Sequence, residues 1–177
     1  MTGVREFSLK KSHLCVSDGS SITWFEPPPF QTVTDPATIS KANKSLIKGS
    51  FDEEVSCNFT LTSDLSLITV SMQLKRSPIA TYVQRQHALS VQPGSESRFN
   101  ATWVPNRLTL ILFNVTPADK GEYRCEVLTL SIGSGSVQTW ARIIEVSLLG
   151  KLGELAMIII KIPLLVENIR QSPNLLP

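Results

Sequence analysis

Histidine is almost missing from this chain, and so is any long apolar run. Only His13 and His87 occur, and neither lies near a nucleophile motif. Gly133-Ser134-Gly135 lacks the strand-turn-helix context of a nucleophile elbow and the lysine of a phosphate loop. No Cys/His spacing suits zinc and no Asp-rich loop suits calcium, so neither a metal nor another cofactor is expected. Asp52-Glu53-Glu54 reads as the solvated start of a strand rather than an acid/base pair. An enzyme is therefore not expected. Charge is sparse as well: 17 basic and 15 acidic residues leave a net charge of +2 with no basic cluster, which argues against nucleic acid as a partner. The most apolar stretch, Leu155 to Val166, is interrupted by Lys161 and Pro163, whereas a bilayer span needs about 20 apolar residues. No membrane span is expected in this chain.

What is present is a chain of 177 residues, enough for one domain with extensions, and a hydrophobic content of 42% that can fill a core. Helical periodicity is rare. Short alternating runs broken by Pro, Gly, Asn and Ser recur instead, which is an all-β pattern. The clearest run follows Asp119-Lys120-Gly121-Glu122: in Tyr123-Arg124-Cys125-Glu126-Val127, Tyr123, Cys125 and Val127 fall on one side, Arg124 and Glu126 on the other. That period of two marks a strand with one buried and one wet face. Val55-Ser56-Cys57-Asn58-Phe59 repeats the pattern and aims Cys57 inward. A disulfide between Cys57 and Cys125, pinning two face-to-face sheets, is the simplest arrangement, and two buried free thiols are the alternative. Cys15 is left over. A bridge would place maturation in the secretory pathway.

The run from Asp119 to Cys125 resembles the F-strand motif of immunoglobulin domains of the variable type. In that family the tyrosine two residues before the second cysteine forms the tyrosine corner, a role that the resemblance carries to Tyr123, with Gly121 in the same motif. Leu110 to Val115 resembles the E strand, with Leu110, Leu112 and Val115 inward, and Ser97-Arg98-Phe99 resembles the D strand. The family pairs a D-strand arginine with the aspartate of the F motif, which implies an Arg98–Asp119 ion pair. The expected fold is thus a two-sheet Greek-key immunoglobulin-like sandwich with irregular terminal extensions. The family also sets a tryptophan against its disulfide on strand C. Here Leu67 to Leu74 is strand C, with Ile68, Val70, Met72 and Leu74 inward, and the tryptophan position falls to Val70 or Met72. Methionine can fill an irregular gap beside sulfur.

Along the chain, residues 1–20 form an atypical segment without the apolar core of a signal peptide; an alternative start or a fragment would explain it. Residues 21–149 form the domain. Ser21 to Glu26 reads as a first strand, Pro27-Pro28-Pro29 as an extended stretch that cannot donate to a ladder, and Phe30 to Thr34 and Ala37 to Ser40 as the A and A′ edge segments. A polyproline ligand for a partner domain is the less favoured reading of Pro27 to Pro29. Ile79 to Val83 is a short C′ strand, and the material around it, up to the Pro93-Gly94-Ser95 turn, is what separates the variable type from the shorter constant type. Ser131 to Ser136 occupies the place of the third hypervariable loop, as a connector or a ligand contact. Gln138 to Leu148 is strand G, with Ile144 and Val146 inward. Residues 150–177 read as a linker and apolar tail, either the beginning of a second immunoglobulin-like domain or a non-native end.

Four runs have the Asn-x-Ser/Thr form that accepts N-glycans in a secreted chain, at Asn43, Asn58, Asn100 and Asn114. Each is otherwise a polar surface residue. The resemblance then implies a non-catalytic extracellular or cell-surface recognition module that binds a protein ligand or another immunoglobulin-like domain. In such proteins the ligand meets the wet face of the sheet with strands C, C′, F and G, or the end loops. Ser71, Gln73, Lys75, Arg124 and Glu126 are the candidates on that face. A secreted soluble immune-type binding protein and a structural spacer domain are the other two readings.

Overall fold

In the computed structural model, residues 19–25 and 30–150 are described. Their strands form two sheets. One runs in the order β2 (Gln31–Val33), β1 (Ile22–Trp24), β4 (Glu53–Leu61), β9 (Arg107–Leu112), β8 (Phe99–Val104). The other runs β3 (Ile39–Ile47), β11 (Val137–Leu149), β10 (Gly121–Ser131), β5 (Leu65–Leu74), β6 (Ser77–Val83), β7 (Ala88–Val91). Neighbours are antiparallel except for β3, which lies parallel to β11. The sheets pack face to face as an immunoglobulin-like sandwich, and β6 and β7 extend the second sheet beyond β5.

The strands exist because apolar residues recur with period two, so that one side of each can be buried. On β4 the buried set is Val55, Cys57 and Phe59; on β10 it is Tyr123, Cys125 and Val127; on β9 it is Leu108, Leu110 and Leu112. These close on one another with Val70, Met72, Ile144 and Val146 to make one continuous core. Cys57 and Cys125 are bonded across it, with their Cα atoms 6.1 Å apart.

Several sequence expectations shift. Ile68 was expected inward with Val70, Met72 and Leu74, but the ladder from β5 to β10 skips it: Thr69 pairs with Leu128 and Leu67 with Thr129. Ile68 is the extra residue of a bulge, which resets the phase of the strand, and it is only half-buried. The D strand reaches from Phe99 to Val104 rather than stopping at Phe99, and turns at Pro105-Asn106 into β9. The E strand ends at Leu112, so Val115 is buried from the loop that follows rather than from a strand. β3 continues well past Ser40 to Ile47 because Ser40, Ala42 and Leu46 keep an inward row against β11. The two segments expected at edges are edges: β2 ends one sheet and β3 the other, and β1 sits between β2 and β4. The expectations for the atypical N-terminal segment with Cys15 and His13, for Pro27 to Pro29, and for the tail after residue 150 lie outside the described residues.

Candidate functional site

Asp119 is buried at the end of a 3-10 turn, Pro117–Asp119. One carboxylate oxygen accepts from the Thr116 backbone N–H at 2.7 Å and from the Thr116 hydroxyl at 2.8 Å, and the other pairs with the Arg98 guanidinium. The Tyr123 hydroxyl donates to the Asp119 carbonyl at 3.1 Å, which is the corner that the resemblance implied for Tyr123. Burial first, and the Asp119 charge second, push the Tyr123 phenol well above its ordinary pKa. Gly121 has φ +137°, and a Cβ there would stand 3.1 Å from the Lys75 Cε. Only glycine takes that backbone without strain.

Met72 lies directly opposite Cys125 in the ladder and is fully buried, so it borders the bridge where the family has tryptophan. The aromatic bulk of the core has moved elsewhere. Trp24 on β1 meets Phe59 edge-on at 6.0 Å between centroids, and Trp140 on β11 is buried with its indole N–H donating to the Thr129 hydroxyl at 2.9 Å. Arg142 faces the core too, opposite Cys125, with its guanidinium 6.0 Å from the Trp24 ring centre. Burial lowers its pKa from the ordinary arginine value. The sequence reading missed these three side chains, although the phase of Ile144 and Val146, counted back along β11, points to both Arg142 and Trp140.

On the wet side of β10 and β5 the structure gathers four of the five candidates. Arg124 sits opposite Gln73 and Glu126 opposite Ser71. The Gln73 amide donates to one Glu126 carboxylate oxygen at 2.8 Å, and Arg124 Nε donates to the other at 2.7 Å. Lys75 does not join them. It begins a two-residue turn with Arg76, both at positive φ, and its ammonium donates to the Ala118 carbonyl at 3.1 Å. Between this turn and the network a depression of about 460 Å³ is lined by Lys75, Arg76, Glu122, Arg124 and Ile143.

The same face changes character towards the loop between β10 and β11. Leu128 lies between Thr69 and Thr139, and Leu130 lies between Ser66 and Val137. Ile132 and Val137 are 65% and 60% exposed, and Leu130 is exposed beside them. The sequence reading stopped at Val127 and missed this apolar end, although the parity of Arg124 and Glu126 continues to Leu128 and Leu130.

The four acceptor asparagines are distributed unevenly. Asn58 on β4 and Asn100 on β8 point to the outer side of the opposite sheet, opposite Arg107 and Ile111 on β9. Asn114 is exposed in the loop after β9, and Asn43 is exposed on the edge strand β3. None lies on β10, β5, β6 or β7. Asn58, expected in solvent, is half-buried because β9 flanks it through Arg107.

The chain matches no protein-family model and no curated protein. Among the described residues, no helix is long and apolar enough to cross a membrane. The face of β10 and β5 holds a neutralised polar network beside exposed leucine, isoleucine and valine. That combination suits burial against another macromolecule: the apolar end loses water and the polar end fixes orientation.

Proposed function

We propose that this chain is a variable-type immunoglobulin-like recognition domain, extracellular or at a cell surface, that binds a protein partner through the outer face of β10, β5 and β11. The reading rests on one observation above all: this face carries exposed apolar residues and no glycan acceptor on its central strands, while two acceptors sit on the outer side of the opposite sheet. Sugars on Asn58 and Asn100 would cover one side of the sandwich, whereas on the other the acceptor is Asn43 on the edge strand β3, opposite Glu145 of β11, which leaves β10 and β5 clear. The bridge between Cys57 and Cys125 supports an oxidising compartment. The binding proposed is non-catalytic.

A glycan wedge tests the proposal. Thr69 is half-buried, pairs with Leu128 on the outer side of β5 and precedes Val70 and Ser71. Thr69→Asn completes an Asn-Val-Ser acceptor at the centre of the face. The secreted full chain should bind cells bearing the partner, and the wedged chain should lose that binding while eluting as the same folded species. Undiminished binding by the wedged chain would exclude this face. A spacer domain would show no cell binding in either form.

A further inference from the structure

The candidate face leaves unused a second concavity, at the end of the sandwich where β5 begins. It is a cleft of about 340 Å³ lined by Ser66, Leu67, Tyr82, Gln84, His87, Trp103, Pro105 and Asn106, within the size range of small-ligand sites. Three separate segments build it. The first turn of β5 supplies Ser66 and Leu67, the 3-10 turn Gln84–Gln86 and its neighbour supply Gln84 and His87, and the β8–β9 hairpin supplies Trp103 and Asn106. The aromatic wall is locked. Tyr82 stacks on Trp103 with ring centres 4.1 Å apart and planes at 16°, and Phe59 leans on Trp103 at 6.5 Å. Two of the polar lining residues, His87 and Asn106, have left-handed backbone, with φ of 48° and 65°. Asparagine and histidine are the non-glycine residues that tolerate this region best, and at both positions the turn demands it.

The lining decides the ligand class by elimination. It contains no Lys, Arg, Asp or Glu, and His87, its one ionisable ring, already has the Tyr82 hydroxyl at 3.5 Å, so an ionic ligand would lose its hydration with little opposite charge in return. A purely apolar guest would strand the amides of Gln84 and Asn106 and the hydroxyl of Ser66 without partners, which costs more than its contact area returns. A neutral ring with an apolar side and a rim of hydroxyls satisfies both halves: its C–H groups meet the aromatic wall, and its hydroxyls exchange hydrogen bonds with carboxamides, which donate and accept at once. We infer that this cleft is a binding site for a neutral hexopyranose unit of a glycan. The cleft adjoins the face of β10 and β5 at Ser66, beside Leu130, and its test does not depend on the partner proposed for that face.

Saturation-transfer NMR on the full chain tests it, after enzymatic removal of any N-glycans so that the chain's own sugars do not compete. The ligands are a panel of neutral methyl hexopyranosides, with methyl glucuronide as the charged comparison and p-cresol as a stand-in for an aromatic side chain. At least one neutral hexoside should receive saturation through its ring protons. The double variant Gln84→Ala/Asn106→Gly keeps the left-handed turn and the aromatic wall, and should weaken that binding about tenfold or more at unchanged melting temperature. Trp103→Ala is the harsher variant, and its loss of binding counts only if the disulfide-bonded fold survives by circular dichroism. Three results overturn the inference: no transfer to any neutral hexoside, transfer that the double variant leaves intact, or p-cresol or the glucuronide binding in preference to every neutral sugar.

Discussion

The two sides of β10 share one backbone and carry opposite obligations. Inward, Tyr123, Cys125, Val127 and Thr129 are fully buried, and each has a fixed neighbour: a carbonyl at the corner, the bridge, the ladder strand β11, the Trp140 indole. Outward, Arg124 and Glu126 hold each other and Gln73 at the surface, and Leu128 and Leu130 border solvent. The inner row can hardly change without unfolding the sandwich, because every side chain there displaces water and fills a defined volume. The outer row contributes little to folding, since exposed ion pairs are worth a fraction of a kcal/mol. A residue whose loss costs binding but not stability must therefore be sought on the outer row, and this contrast can be broken at three places.

The largest effect is expected at the bridge. Cys57 and Cys125 close a loop with a sequence separation of 68. In the chain-entropy account, a bridge across a loop of that length constrains the unfolded chain by about 4 kcal/mol. The double variant Cys57→Ala/Cys125→Ala should lose roughly that much in urea denaturation, a large share of the stability of a domain this size. An unchanged urea midpoint would mean that packing around Met72 and Val127, not the covalent link, holds the sheets together.

A smaller, pH-marked effect belongs to the corner. Tyr123→Phe removes one buried hydrogen bond, to the Asp119 carbonyl, and should cost about 1 kcal/mol at neutral pH. The direction of the titration follows from the raised pKa of Tyr123. In the unfolded chain the phenol ionises near pH 10, while in the fold it stays protonated to higher pH. Its contribution is therefore fully present below about pH 10 and is lost as pH rises beyond that value. The wild-type chain should lose stability above pH 10 more steeply than Tyr123→Phe does. Parallel pH profiles would show that Tyr123 is not the group that titrates.

Period two made β10 readable, because chemistry and geometry alternate in step from Tyr123 to Val127. Past Val127 the residues are Leu128, Thr129 and Leu130, whose polarity no longer follows the pleat, so the apolar end of the outer face is found only by counting phase. Counting fails in turn at Ile68, because a bulge depends on how two strands meet and neither strand encodes it alone. The core tryptophans were obscured for another reason. A tryptophan expected on strand C drew attention to Met72, which does border the bridge, whereas the tryptophans of the core come from β1 and β11, as Trp24 and Trp140. Arg142 is a cation in an inward phase, which hydrophobic patterning alone assigns to the surface. The cleft at Trp103 was beyond reach because its walls come from three distant segments, although Pro105-Asn106 is a turn signal that would have set the length of β8.

The smallest effect on stability is expected on the outer row, and it completes the contrast. Arg124 and Glu126 are both partly exposed, with side-chain exposures of 36% and 29%, so water screens their attraction. Arg124→Ala leaves Glu126 with the Gln73 amide as its partner and should shift stability by no more than about 0.5 kcal/mol. The same change removes the cation that balances Glu126 in the middle of the proposed contact surface, and turns a neutral patch into a negative one. A partner fitted to the neutral patch should then dissociate faster, visible as a shortened residence time in surface binding at low salt and less so at high salt. If Arg124→Ala instead unfolds the chain as readily as loss of the bridge, the outer row is part of the scaffold, and the division of labour between the two sides of β10 fails.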